Sequence, residues 1–268
     1  MNKIFKLALL SDSRLTDADI SAQISEADKV EHFDCAVHLG NIINGNNPEK
    51  VSDRVYGMEV EKFRNSIESK RLYVCQGETD GYRNERFLGQ LATDITTDEK
   101  WTKRAEFLEE NGNVKLFGKP YYYADFPDKG VRLIFLCPYI SQLDEKNEIY
   151  MKFRGFDTEQ LAWLINDAAK VPKGRRVLVF SHRIPDSRFE GTADPYVYMG
   201  KSTESFLRAV QYINENGGRV AAHFAGAYGK FEDYEIGGIK RISIPSAKDG
   251  AWLSVTLGET LTVNGRNL

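Results

Sequence analysis

Short apolar runs that end in Gly, Ser, Asp or Asn alternate along this 268-residue chain with longer stretches of helical periodicity. Strands and crossover helices of a layered α/β fold produce that alternation. The runs at 5–10, 35–39, 71–75, 121–126, 131–136, 176–180, 219–224, 239–244, 252–257 and 260–263 predict strands. Amphipathic spacing predicts helices at 17–29, 55–69, 101–110, 158–170 and 202–216. In the fourth helix Asp157 is placed as an N-cap, and Leu161, Leu164 and Ile165 share one face, with Trp163 nearby. Pro127-Asp128-Lys129-Gly130 lies between two strands and predicts a hairpin, and a second hairpin closes the chain around Gly258. No repeat, low-complexity tract or Pro/Gly/Ser-rich linker interrupts the pattern, so residues 1–268 read as one domain.

Composition narrows the function classes. A net charge of -3 gives no sign of a nucleic-acid partner. Cys35, Cys75 and Cys137 sit in or beside apolar runs, where a free thiol behaves as a small buried hydrophobe, and their odd number argues against a disulfide framework. The apolar stretch before Leu10 is too short for a secretory core and lacks a small-residue cleavage site, so it reads as the first strand. No run approaches the roughly 18 apolar residues of a membrane span. A cytoplasmic protein that does not engage a membrane is expected.

Chemistry in layered α/β folds gathers in loops after the C-terminal ends of strands. Five such loops form an ordered series: Ser11-Asp12-Ser13-Arg14, Gly40-Asn41-Ile42-Ile43-Asn44, Gly77-Glu78-Thr79-Asp80, Ser181-His182-Arg183-Ile184-Pro185 and Gly226-Ala227-Tyr228-Gly229. The series resembles the calcineurin-like metallophosphoesterases, whose loops run D-x-H, G-D, G-N-H-D/E, H and G-H-x-H in the same order. The segments FDTEQLAWL and YYYADFPDKGVRLIFL are similar to that family's helix and hairpin before the fourth loop, and the resemblance spans residues 4–257. It implies an α/β fold in which two mixed β-sheets are sandwiched and flanked by helices.

The resemblance also implies a site for two metal ions about 3.5–4 Å apart, bridged by a carboxylate and a hydroxide. Carried over residue by residue, Asp12 keeps the first carboxylate and His182 keeps the histidine of the fourth loop. Arg14 stands in place of a histidine ligand, and a guanidinium cannot ligate. Asn41 replaces the bridging aspartate with a neutral carbonyl, and Glu78 replaces an asparagine ligand. Thr79 takes the position of the histidine acid, where it has no pKa near neutrality, while Asp80 keeps the motif's last carboxylate. Ala227 and Gly229 replace the last two histidine ligands and offer no side-chain donor.

Two readings follow. In the first, no metal is expected: Arg14 pairs with Asp12, Glu78 or Asp80, and the chain is a pseudo-enzyme with a binding, scaffold or assembly role. Its partner is then another protein, or a phosphate- or sugar-containing ligand met by Arg14, Arg183 and Asn44, although Asn44 and Asn46 also read as plain turn residues. In the second, Asn41, Glu78 and His182 hold a single Mn²⁺ or Zn²⁺ with water, giving weak hydrolysis of a phosphomonoester or phosphodiester. The other histidines are given structural readings, His32 as a surface turn residue and His38 and His223 as hydrogen-bonded strand residues upstream of the loops. Ser181 lacks a nucleophile-elbow context, which argues against a serine hydrolase. The loop at 189–201 is expected to overhang the groove.

Overall fold

The fold is described from a computed structural model, at residues 3–14, 19–43, 53–77, 80, 98–143, 149–153, 156, 158–183 and 202–267. From the N-terminus come β1 (Phe5–Leu10), α1 (Ile20–Glu31), β2 (Cys35–His38), α2 (Asp53–Arg64) and β3 (Leu72–Val74). Next are α3 (Asp98–Arg104), β4 (Val114–Lys115), β5 (Tyr122–Phe126), β6 (Val131–Leu136), β7 (Tyr139–Leu143) and β8 (Ile149–Phe153). The rest is α4 (Thr158–Trp163), β9 (Arg176–Ser181), α5 (Ser202–Glu215), β10 (Arg219–Gly229), β11 (Glu232–Ile236), β12 (Ile239–Pro245), β13 (Leu253–Leu257), β14 (Leu261–Val263) and β15 (Arg266–Asn267).

One sheet has the order β15-β14-β13-β1-β2-β3 and the other β11-β12-β10-β9-β6-β5-β4, with β7 and β8 forming a separate ribbon. Both large sheets are mixed. In the first, β1, β2 and β3 are parallel and β13 is antiparallel to β1. In the second, β6, β9, β10 and β12 are parallel, while β5 and β11 run against them. The parallel strands carry mostly apolar runs rather than a strict alternation because both of their faces are covered. Leu133, Phe135, Leu178 and Phe180 point into the core shared with Leu7, Leu9, Val37 and Tyr73 of the first sheet. Their neighbours Ile134, Leu136, Val177 and Val179 face Trp163 at the end of α4 and Phe206, Val210 and Ile213 of α5. A ladder of near-parallel rings, Tyr122, Phe135, Phe180 and Phe224, crosses the second sheet with centroids 4.5 to 5.6 Å apart. This is the α/β sandwich that the resemblance implied.

Most elements lie within a few residues of their predicted bounds, and the departures have local causes. Asp19 accepts a hydrogen bond from the Ala22 N–H at 3.1 Å, so α1 starts after this cap rather than at 17. Helix α4 gives way to a π-helical turn, Leu164–Ala168. β11 lacks the apolar pattern of a predicted strand because it is an edge strand, and its exposed Asp233 and Glu235 oppose pairing with another chain. β10 continues past 224 to Gly229, with a register shift against β12 between Ala225 and Gly229, so the predicted fifth loop is part of a bulged strand. Asp157 lies outside the described residues. No helix among the described residues is long and apolar enough to cross a membrane.

Candidate functional site

The ends of β1, β2, β3 and β9 bring the first four loops together. Asp12, Arg14 and Asn41 all have left-handed backbones, with φ of 54°, 47° and 58°. That conformation costs energy for residues with a Cβ, and such outliers cluster where function or tight packing imposes them. Here the imposing contacts are backbone hydrogen bonds between loops, Asp12 N–H to Gly40 O and Arg14 N–H to Asn41 O, both 3.0 Å. Close approach also explains two glycines. A Cβ on Gly77 would lie 2.0 Å from the Asn41 nitrogen, and one on Gly226 would lie 1.9 Å from Ser11 Oγ.

At the centre the Asn41 amide nitrogen is 2.7 Å from Asp12 Oδ1 and 3.0 Å from His182 Nε2. The protonation pattern follows from the partners. His182 Nδ1 is 2.8 Å from the carbonyl of Leu39 and must donate to it, so Nε2 carries a lone pair. Asn41 Nδ2 therefore faces two acceptors and spends one proton on each. Arg14 Nη2 donates to the same Asp12 oxygen at 3.0 Å, and Ser11 Oγ donates to the other at 2.7 Å. Burial alone would raise the Asp12 carboxyl, but His182, the Asn41 amide, the Ser11 hydroxyl and the Arg14 guanidinium outweigh it and bring the pKa down to about 2. Burial lowers the His182 pKa and Arg183 adds to that, against opposing pulls from Asp12, the Leu39 carbonyl and Asp80.

Asp80 has a separate task. Its Oδ2 accepts from the N–H groups of Asn41 and Gly77 at 2.7 and 3.0 Å, and its Oδ1 from those of Ile42 and Ile43 at 2.7 and 3.1 Å. Burial pushes its pKa up, while the Ile43 and Gly77 N–H groups, His182 and Arg104 pull the other way. Four donors on two oxygens leave no acceptor for a carboxyl proton, so the carboxylate is the form the loop is built around.

His38 and His223 are both buried and hydrogen-bonded within strands. His38 accepts from Gly40 N–H at 3.1 Å and meets Ser13 Oγ at 3.0 Å, and burial takes its pKa down to about 3, helped by His182 and opposed by Asp12. His223 reaches further toward the site than its sequence position implied. Its Nε2 is 2.7 Å from Ser181 Oγ, beside His182, and its Nδ1 is 2.6 Å from Nη1 of the buried Arg241. Its burial, with Arg241 alongside, keeps the imidazole neutral. Arg183 is buried next to His182. Gly229 is exposed with open space about it, away from the cluster. Glu78, Thr79, Asn44, Asn46 and the loop at 189–201 lie outside the described residues, as does the side chain of Ala227.

No family model and no curated protein matches the chain. Solved structures do. A dimetal phosphatase from Danio rerio aligns with 98% of this chain and 96% of its own length, with a TM-score of 0.61 and 15% identity. The chain has the metallophosphoesterase fold. Purple acid phosphatase PPD1 from seeds of yellow lupin, Lupinus luteus, covers 100% of this chain with 53% of its own, at a TM-score of 0.58 and 13% identity. GAP50, described as the anchor in the inner membrane complex of Plasmodium, aligns over 97% of this chain and 83% of its own, with a TM-score of 0.55 and 12% identity.

Against the metal pair that this metallophosphoesterase fold implies, the donors among the described residues do not fit. Asp12 Oδ1 is taken by two N–H donors, the His182 lone pair is taken by a third, and a guanidinium occupies the rim. Among the described residues no group of three His, Cys, Asp or Glu side chains is placed to hold a metal ion. The carbonyl expected at the bridging position is turned away, because both neighbours of Asn41 are acceptors and only its NH₂ can satisfy them. Arg14 pairs with Asp12, while Asp80 is taken up by backbone N–H groups.

Sequence reasoning missed the loop after β12. Ser246 Oγ donates to the Asp12 carbonyl at 3.1 Å, and Ala247 N–H donates to the Ser11 carbonyl at 2.7 Å. The Pro-Ser-Ala-Lys-Asp-Gly turn after a strand was the available signal. Asp12 also sets an acid limit. Its folded pKa is below the ordinary 3.8, so its stabilising contribution is complete above about pH 4 and is lost as pH falls toward 2. Urea denaturation between pH 5 and pH 2 should show a decline of about 2 kcal/mol from this group, and Asp12→Asn should flatten it.

Proposed function

We propose that this chain uses the metallophosphoesterase fold as a binding protein, with a hydrogen-bonded cluster in place of the dinuclear centre and no metal-dependent phosphoesterase activity. The observation that supports it is the Asn41 amide, whose two protons satisfy Asp12 and His182 where dications would otherwise do so. A neutral amide and one guanidinium balance a single carboxylate at far lower charge than two metal ions require. Arg14 gives the cluster an outward face: its side chain is 36% exposed, and its buried Nε has no hydrogen-bond partner among the described residues. With Arg183 it supports recognition of a phosphate- or sugar-bearing group, whether free or carried by a protein partner. The Plasmodium neighbour is described as an anchor, and an assembly role of that kind is compatible with a site that performs no chemistry. Three buried free cysteines support a reducing, cytoplasmic location.

Metal analysis of protein prepared without chelators, with hydrolysis of bis(p-nitrophenyl) phosphate in added Mn²⁺, tests the proposal. Substoichiometric metal and turnover no faster than the protein-free control are expected. Stoichiometric metal with turnover abolished by His182→Ala would overturn it. Heat released on titration with Mn²⁺ or Zn²⁺, and lost in His182→Ala, would instead restore the single-ion reading.

A further inference from the structure

At the opposite end of the sandwich, where the parallel strands begin, lies a cleft of about 570 Å³. The length of β9 separates it from His182, roughly 20 Å at a strand rise of about 3.3 Å per residue. Arg176, the first residue of β9, forms part of its lining and is 5% exposed. Its Nη1 donates to the carbonyls of Leu257 and Gly258 at 2.8 and 2.6 Å, and its Nη2 to those of Lys3 and Lys129 at 2.7 and 2.8 Å. These four acceptors satisfy its hydrogen bonds, but all are neutral. No described carboxylate forms an ion pair with Arg176, so among the described residues its nearly buried charge is met by carbonyl dipoles.

Two further cations border the same cleft, Arg219 at the start of β10 and Lys240 near the start of β12, and neither forms an ion pair with a described carboxylate. Arg219 is close enough to Arg176 to depress its pKa further after burial has done so. Like charges held together around a concave polar space focus a positive potential into it. Glu235 and Glu259 are exposed and line the cleft as well. Three cations against two carboxylates disfavour a polyanion and leave the carboxylates to accept hydrogen bonds from hydroxyl or amino groups. The volume lies within the range of small-molecule sites, about 300–1,000 Å³.

We propose that this cleft is a second ligand site, separate from the Asp12 cluster, that takes a small polar molecule bearing one oxyanion group, a carboxylate or a phosphate. The oxyanion sits against Arg219 and Lys240, above the Arg176 guanidinium, and offsets the excess of three cations over two carboxylates in the lining. Hydroxyl or amino groups of the ligand face Glu235 and Glu259.

Titration of the Arg14→Ala protein, in which the first site is disabled, tests this at constant ionic strength by amide NMR. Glycerol phosphate and glycerate serve as probes that share a body and differ in the oxyanion, with glycerol as the neutral control. Saturable shifts at residues 218–221 and 257–261 are expected with at least one probe, and the probe that saturates identifies the oxyanion. Arg219→Ala combined with Lys240→Ala should weaken binding about tenfold or more while leaving the protein folded. Glu259→Gln, which keeps an acceptor oxygen for the ligand's hydroxyl while removing a negative charge that repels the oxyanion, should tighten it. Absence of saturation with both probes, or a binding constant unmoved by the double substitution and by Glu259→Gln, would overturn the proposal.

Discussion

Asn41→Asp, a change of one NH₂ group to an oxygen, should cost the protein about 3–5 kcal/mol of stability at neutral pH. The new carboxylate would lie where the amide nitrogen now sits, 2.7 Å from Asp12 Oδ1 and 3.0 Å from the His182 lone pair. Two anions and an acceptor would converge on a position that is 1% exposed, with the partly exposed Arg14 beside them. Asn41→Ala should cost less, because it removes two hydrogen bonds without adding a charge. The pH dependence identifies the cause. A carboxyl beside a like charge has its folded pKa raised, so the variant regains stability on acidification and loses it as pH rises through that pKa. Parent and variant compared by urea denaturation at pH 4.5 and pH 7.5 should converge at the lower value. If Asn41→Asp matched the parent at both, without added metal, the amide would not be the group that holds the cluster together.

The contrast between Asn41 and Arg14 indicates how far the sequence alone could reach. Parallel register of β1, β2 and β3 aligns the loops that carry Asp12, Asn41 and Asp80, while His182 follows β9 of the other sheet and was placed beside them by the family resemblance. The substitution of a neutral residue at 41 was also legible. Which atom of that residue mattered was not, since the choice between Oδ1 and Nδ2 depends on the His182 tautomer, and that depends on the Leu39 carbonyl beside it. The same holds for Arg14. Its possible partners were named from charge alone, whereas the left-handed backbones at 12 and 14 and the occupation of Asp80 by backbone donors decide the pairing. His223 is the hydrogen-bonded strand residue that was expected, but its partners were not legible. Its reach to Ser181 depends on the parallel pairing of β9 and β10, a tertiary feature that no local pattern encodes.

Asp80 carries the second large effect, and it separates a positioning residue from a ligand. Asp80→Ala should destabilise the protein by about 4 kcal/mol, because four N–H groups lose their acceptors together in a site where the carboxylate is 1% exposed. Asp80→Asn has nearly the same shape and should still lose most of that stability. Each oxygen of the carboxylate accepts two N–H groups, so an amide nitrogen in either position would meet two donors with a donor of its own. Hydrogen exchange adds a local readout: amides 41–43 and 77 should exchange much faster in both variants, while those of β9 and β10 stay protected. A carboxylate whose main business was gripping an ion would behave differently, with Asp80→Asn close to the parent in stability and unchanged exchange at 41–43. That pattern would show the loop to be held by something other than the Asp80 oxygens, and the arrangement of Asn41 between Asp12 and His182 would lose its structural support.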